Sequence, residues 1–222
     1  MADNVDSNLK SSKLSAIVLA GGKSSRMGKD KALILIQSVP LLQLICDIAG
    51  TVCNVVYVVT PTPENYQHLF KHCQFVREVP LPQETVGNSS STKISLPLPH
   101  GPLVGFAQGL AVVQTEWVLL LACDLPKLQV EVLQDWAREL ENIPQNAIAA
   151  LPRHAKGWEP LCGFYRRSCL PLLNDFIAQG GRSFQAWLAQ HPVRVLPLSA
   201  TEMLFNCNTP DDLAFVIDDK QS

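Results

Sequence analysis

The chain has no Cys-x-x-Cys pair and no neighbouring histidines at metal-ligand spacing, although it carries seven cysteines, at positions 46, 53, 73, 123, 162, 169 and 207. That pattern excludes a structural zinc site of the usual spacing and a paired disulfide framework. An odd set of thiols, placed mostly among apolar residues, is what a reducing cytosol permits. Charge is also scarce. Asp, Glu, Lys and Arg make up 17% of the chain and leave a net charge of -2, so there is no broad basic face for nucleic acid or an anionic membrane, and any anion site must be local. No apolar run approaches the length needed to span a bilayer. The polar, acidic start Met1-Ala2-Asp3-Asn4-Val5-Asp6 lacks the basic and apolar regions of a secretory signal. The expected location is the cytoplasm.

What is present suits one globular domain with a sizeable core: 222 residues, 47% of them hydrophobic. Residues 1–13 are polar and aperiodic and read as a tail; residues 14–222 read as the domain. Ala16-Ile17-Val18-Leu19, Val55 to Val59 and Trp117 to Ala122 are apolar runs of strand length, the kind buried on both faces of a parallel sheet. Ala32 to Ile36 reads as a further short strand or extended segment, and Phe75-Val76 as another. Helices are expected over Leu41 to Ala49, started by Pro40, over Glu64 to His72, from Pro102 to about Val113, and over Val130 to Glu141. Residues 81–100, rich in proline and in Gly-Asn-Ser-Ser-Ser-Thr, read as a long surface loop. The last third mixes strand-like Ala147 to Leu151, Leu161 to Tyr165 and Val193 to Leu196 with a helix over Ser168 to Gln179. A second helix is capped by Ser183, and a third is started by Thr209 and Pro210. Alternation of this kind gives an α/β fold, a single Rossmann-like domain whose mostly parallel central sheet is flanked by helices. Ligands bind at the carboxyl ends of such strands, where both Gly21-Gly22 and Asp124 fall.

The stretch Leu19-Ala20-Gly21-Gly22-Lys23-Ser24-Ser25-Arg26-Met27-Gly28-Lys29-Asp30-Lys31-Ala32 closes the first of these strands. Its glycine pair lets backbone amides approach a ligand closely, and Lys23, Arg26 and Lys31 add fixed positive charge, which together suit a polyphosphate. By spacing alone a solvated basic turn serves equally well. The glycines fit neither a Walker loop nor the three-glycine dinucleotide pattern. Asp124, at the end of an apolar strand and before Leu125-Pro126, caps a turn or holds a cation.

The stretch does resemble, at every fixed position, the signature Leu-Ala-Gly-Gly-x-Ser-x-Arg-Met-Gly-x-Asp-Lys-Ala of the MobA family of nucleotidyltransferases, which includes the molybdenum cofactor guanylyltransferases. Weaker similarities extend from about Ser15 to Leu213: Gly101-Pro102-Leu103-Val104-Gly105, Cys123-Asp124-Leu125-Pro126, Glu159-Pro160-Leu161, Gly181-Arg182-Ser183 and Phe205-Asn206-Cys207-Asn208-Thr209-Pro210. The resemblance implies a GT-A-like nucleotidyltransferase fold and transfer of GMP from GTP to molybdenum-bearing molybdopterin. The products are the guanine dinucleotide form of the cofactor and pyrophosphate. It implies nucleotide contacts from Leu19, Ala20, Gly21, Gly22, Lys31 and Asp124, with Mg²⁺ on Asp124 as cofactor and Arg26, Lys31 and Asp124 as the catalytic set. Arg182, Asn206 and Asn208 fall on the pterin side. The two asparagines could equally be turn-formers and caps, and Arg182 a solvated helix-end residue.

Departures from the pattern concern the base. Relatives often place Asn after the strand corresponding to Val55 to Val59 and Asp after the one ending near Val76; this chain has Thr60-Pro61 and Arg77-Glu78, leaving Thr60 and Glu78 as stand-ins. Arg153, His154 and Lys156 form a further basic cluster, read as surface. Beyond GTP and the pterin, the partners implied are molybdenum cofactor synthesis proteins and recipient molybdoenzymes. The competing readings are a cytidylyltransferase or sugar-1-phosphate nucleotidyltransferase, and a non-catalytic protein that delivers the cofactor.

Overall fold

The computed structural model describes residues 14–21, 30–81, 101–155, 157–198 and 201–219. The tail expected over residues 1–13, and all but Leu81 of the loop expected over residues 81–100, lie outside them. Among the described residues eleven strands are formed: β1 (Ser15–Leu19), β2 (Leu35–Ile36), β3 (Val39–Pro40), β4 (Val55–Thr60), β5 (Gln74–Arg77), β6 (Trp117–Ala122), β7 (Ala149–Leu151), β8 (Arg153–His154), β9 (Gly157–Trp158), β10 (Cys162–Arg166) and β11 (Val193–Val195). The α-helices are α1 (Leu41–Val52), α2 (Pro102–Val112), α3 (Val130–Glu139), α4 (Leu170–Ala178), α5 (Phe184–Leu188) and α6 (Pro210–Asp219). Among the described residues no helix is long and apolar enough to cross a membrane.

Seven strands make the central sheet, in the order β11-β7-β10-β6-β1-β4-β5. β1 pairs in parallel with both β4 and β6, and β4 with β5. The sheet is therefore mostly parallel, as expected, with β10 running antiparallel to β6 and β7. The unbroken apolar run of β6 is buried at every position because helices cover both faces. Alternation along β1 divides the core. Ala16 and Val18 pack with Leu41, Ile45 and Trp136 on one side, and Ile17 packs with Leu103, Phe106 and Leu110 on the other. α2 can lie this close to the sheet because Gly109 has no side chain; a Cβ there would stand 2.7 Å from Val59 Cγ2. At the end of β10 the buried Arg166 is compensated by Glu116, by the carbonyls of Ala147 and Ile143, and by the ring of Trp117.

Three sequence expectations need correction. Ala32 to Ile36 is not one strand: Lys31–Leu33 is a 3-10 turn, because the Asp30 carboxylate caps the Ala32 amide, and only Leu35–Ile36 is extended, pairing with β3. The helix expected over Glu64 to His72 shrinks to a 3-10 turn at Pro63–Asn65, with the following turns tucking Tyr66 and Phe70 into the core. The helix expected from Ser168 begins as a 3-10 turn, Arg167–Cys169, before α4. By contrast, α5 starts as read, with Ser183 Oγ accepting from the Ala186 amide.

Candidate active site

The chain proceeds outward from β1 through β4 to β5 and then returns to the other side of β1 as β6, so the crossovers diverge between β1 and β6. Such a switch point opens a crevice at the carboxyl ends of the strands. The register is fixed there: Leu19 faces Ala122, and the Cys123 amide donates to the Leu19 carbonyl at 3.2 Å. Gly21 and Asp124 therefore leave neighbouring strands at the same level.

Asp124 is held through its backbone as well, its carbonyl accepting from the Cys207 amide at 2.9 Å. Its Oδ2 lies 3.5 Å from Lys31 Nζ, and each of the two side chains keeps 19% of its surface exposed. Its Oδ1 is buried and meets no hydrogen-bond donor among the described residues. Burial pushes the Asp124 carboxyl above the usual aspartate range, and the Lys31 ammonium partly reverses this. A half-buried carboxylate with one oxygen paired to an ammonium and the other left without a donor among the described residues suits a hard divalent cation.

Lys31 is set in place from two sides. Behind it, Asp30 Oδ1 accepts from the Ala32 amide at 3.0 Å, and the buried Tyr66 hydroxyl donates to Asp30 Oδ2 at 2.5 Å. In front, Lys31 Nζ donates to Asn208 Oδ1 at 2.5 Å, although 177 positions separate them in the chain. Asn208 is fixed in turn by a reciprocal cap at the start of α6. Asp212 Oδ2 accepts from the amides of Asn208 and Thr209, both at 2.8 Å, and Thr209 Oγ1 accepts from the Asp212 amide at 3.2 Å. Those amide bonds hold the Asp212 carboxyl below its ordinary range. Thr209 and Asp212 do the helix capping that the sequence offered as one reading of this segment, which leaves the Asn208 side chain to meet the lysine.

On the other side of β1 is a cradle closed by Glu78. Ala20 is tied to β4 through its amide, which donates to the Val59 carbonyl at 2.9 Å. A Cβ on Gly21 would stand 2.9 Å from Pro61 Cδ and 3.2 Å from Glu78 Oε2, and one on Gly105 would meet the same carboxylate oxygen at 3.4 Å. The Glu78 carboxylate thus lies between the end of β1 and the first turn of α2. Of the two stand-ins for the base contacts, Glu78 reaches the crevice. Thr60 is buried, and its hydroxyl accepts from the Thr62 amide at 3.4 Å.

The structure gathers Leu19, Ala20, Gly21, Lys31, Asp124 and Asn208 at one strand-end crevice. Gly22 and Arg26 lie outside the described residues. Asn206 is exposed beside this group, its amide donating to the Leu204 carbonyl at 3.2 Å. Arg182 donates to the carbonyls of Ile177 and Gly181 at 2.9 and 2.8 Å, contacts that anchor it at the end of α4. Sequence reasoning gave no role to Asp30 or Tyr66. An Asp-Lys-Ala triplet at the head of an apolar segment is a cap signal that could have found the first; nothing local points to the second. Nor did it place Glu159 near Asp124: burial raises the Glu159 carboxyl, His154, with its Nε2 3.8 Å away, opposes the shift, and the Asp124 charge adds to it. In the basic cluster, Arg153 lies over the ring of Trp158 as surface packing, and Lys156 is outside the described residues.

Residues 16–195 match the family model of the MobA-like NTP transferase domain. The chain is 61% identical over 204 residues to a probable molybdenum cofactor guanylyltransferase of Nostoc sp., covering 91% of this chain and 90% of the relative. It is 43% identical over 197 residues to a probable molybdenum cofactor guanylyltransferase of Synechococcus elongatus, covering 89% and 94%. The crystal structure of molybdopterin-guanine dinucleotide biosynthesis protein A from Archaeoglobus fulgidus superposes with a TM-score of 0.71 at 22% identity, covering 93% of this chain and 98% of that one, and supports the fold.

Proposed function

The chain belongs to the MobA-like NTP transferases and, within them, to the molybdenum cofactor guanylyltransferases, and from that membership we propose that it transfers GMP from GTP to the terminal phosphate of molybdenum-bearing molybdopterin, releasing pyrophosphate. The observation that carries the proposal is the pairing of Asp124 with Lys31, 3.5 Å apart at the switch point of the sheet. In the reaction so assigned, a pterin phosphate oxygen forms a bond to the α-phosphorus of GTP as the bond to the β-phosphate oxygen breaks. The acceptor phosphate is largely dianionic at neutral pH, so no dedicated base is required. What the protein must do is bring two anions together and compensate their charge.

Lys31 serves the phosphates from a rigid turn, and Asn208 aims its ammonium. Asp124 fits Mg²⁺ as the single protein carboxylate of a site completed by phosphate oxygens and water, and the ion, when bound, supplies charge compensation on the phosphates. Gly21 and the backbone around it receive the nucleotide, with Gly22 and Arg26 continuing that loop by resemblance. The Glu78 carboxylate, two acceptors in one plane, suits the N1–H and 2-amino edge of guanine and replaces the family aspartate. Asn206, Asn208 and Arg182 are assigned to the pterin side.

The test is product identity. Incubation with molybdate-loaded molybdopterin, Mg²⁺ and either GTP or CTP, followed by mass analysis of the cofactor, should give the guanine dinucleotide from GTP and no cytosine dinucleotide from CTP. Formation of the cytosine product would reassign the nucleotide, and formation of neither would remove the acceptor.

A further inference from the structure

The strand β5 ends at Arg77, and the next residue is Glu78, the acceptor assigned above to guanine. Glu78 still belongs to the ladder through its backbone. Its amide donates to the Thr60 carbonyl at 2.9 Å, one step past the last β4–β5 pair, Thr60 with Arg77. Val79 lies beyond that ladder, and its backbone is met instead by one side chain of α2. The Val79 amide donates to Gln108 Oε1 at 2.9 Å, and Gln108 Nε2 donates to the Val79 carbonyl at 2.8 Å. A carboxamide presents an acceptor and a donor side by side, so a single glutamine holds both backbone groups as a neighbouring strand would.

The helix α2 meets this segment a second time. Gly105, three residues before Gln108 and on the same helix face, stands against the carboxylate: a Cβ there would lie 3.4 Å from Glu78 Oε2 and 3.5 Å from its carboxyl carbon. Gly21 closes the other side, where a Cβ would lie 3.2 Å from the same oxygen. Arg77 Nη1 donates to the Pro61 carbonyl at 2.9 Å and so fixes the residue whose ring faces Gly21. A glycine on each side gives the carboxylate room, and the bonds on each side of Glu78, to Thr60 and to Gln108, give its backbone a fixed direction.

We propose that Gln108 is a positioning residue for guanine selection: by clamping the Val79 backbone it keeps the Glu78 carboxylate aimed between Gly21 and Gly105, with both oxygens available to one base edge. The proposal rests on the assignment of Glu78 to guanine. Two acceptors discriminate only if they meet N1–H and the 2-amino group together, which a backbone free to swing at Val79 does not ensure. Inosine triphosphate keeps N1–H and lacks the 2-amino group, so the advantage of GTP over ITP reports how well the second oxygen is aimed.

The experiment compares kcat and KM for GTP and ITP, with Mg²⁺ and molybdate-loaded molybdopterin, in the full-length wild type, Gln108→Met and Glu78→Gln, and adds hydrogen exchange at the Val79 amide. The wild type should prefer GTP in kcat/KM by about tenfold or more, the worth of one hydrogen bond to a charged group. Glu78→Gln should lose most of that preference. Gln108→Met should lower it at least about threefold, through a raised KM for GTP more than through kcat, and its Val79 amide should exchange faster. A preference lost in Glu78→Gln but intact in Gln108→Met would overturn the positioning role alone, as would equal losses on GTP and ITP in Gln108→Met, the mark of a general loosening. A wild type that uses both nucleotides equally, or a Glu78→Gln that keeps the preference, would remove the base contact and the proposal with it. If Gln108→Met fails to fold, wild-type exchange decides: greater Val79 protection by saturating GTP than by saturating ITP supports the proposal, and equal protection overturns it.

Discussion

Lys31→Met keeps most of the apolar stem of the side chain and removes its charge, and its consequences can be worked from two distances. The ammonium is 3.5 Å from Asp124 Oδ2 and 2.5 Å from Asn208 Oδ1. Two unit charges at that separation, at an effective dielectric constant of about 20, attract by roughly 5 kcal/mol before desolvation is subtracted. Because each side chain still meets water, the loss in folding stability should be about 2 kcal/mol or less. The loss in rate should be larger. A cation removed from the position where phosphate charge develops costs about 3 kcal/mol, roughly a hundredfold or more in kcat. A second signature separates this role from a merely structural one. Burial raises the Asp124 carboxyl and Lys31 opposes it, so without the lysine the carboxyl rises further. The acid limb of the pH–rate profile, where Asp124 must be ionised, should then move to higher pH. The assay is pyrophosphate release from GTP across the pH range, wild type against variant. A loss of less than about fivefold with an unmoved acid limb would refute the reasoning, since both effects follow from the same charge.

Asp124→Asn should melt at or above the wild-type temperature at neutral pH. The raised folded-state pKa means that native stability is fully present below the usual aspartate value and is lost as pH rises through the folded value, a loss the amide does not share; the gap in Tm should close in acid. Gly21→Ala would place a Cβ 2.9 Å from Pro61 Cδ. Overpacking of that kind costs about 1–3 kcal/mol, seen as reduced stability in urea and a raised KM for GTP. Tyr66→Phe removes the donor to Asp30 Oδ2 and should cost about 1 kcal/mol of stability, with kcat falling while KM for GTP stays near the wild-type value.

The strand–helix alternation was legible because its physics is local. Val55 to Val59 and Trp117 to Ala122 are uninterrupted apolar runs that only a sheet covered on both faces can bury, and they form β4 and β6. The Asp124 position was legible as a strand end, and its neighbour across β1 follows from parallel pairing. The antiparallel direction of β10 was not, since an apolar five-residue strand reads the same in either orientation. The β2–β3 hairpin turns through Gln37 and Ser38 at φ of 50° and 68°, conformations usually signalled by glycine or asparagine. The Glu64 to His72 expectation failed because Tyr66 and Phe70 are drawn into the core by tertiary contacts, the first through Asp30. The Lys31–Asn208 bond joins opposite ends of the chain, and no local pattern could report it.

The most direct measurement of the central claim is the rate of pyrophosphate release from GTP with molybdate-loaded molybdopterin, at several Mg²⁺ concentrations, for wild type and Asp124→Asn. The expected result is Mg²⁺-dependent release by the wild type and a fall of about a hundredfold or more in the variant, with the variant as well folded as the wild type by Tm. Release by Asp124→Asn at near wild-type rate and with the same Mg²⁺ dependence would contradict the placement of metal and phosphates at Asp124.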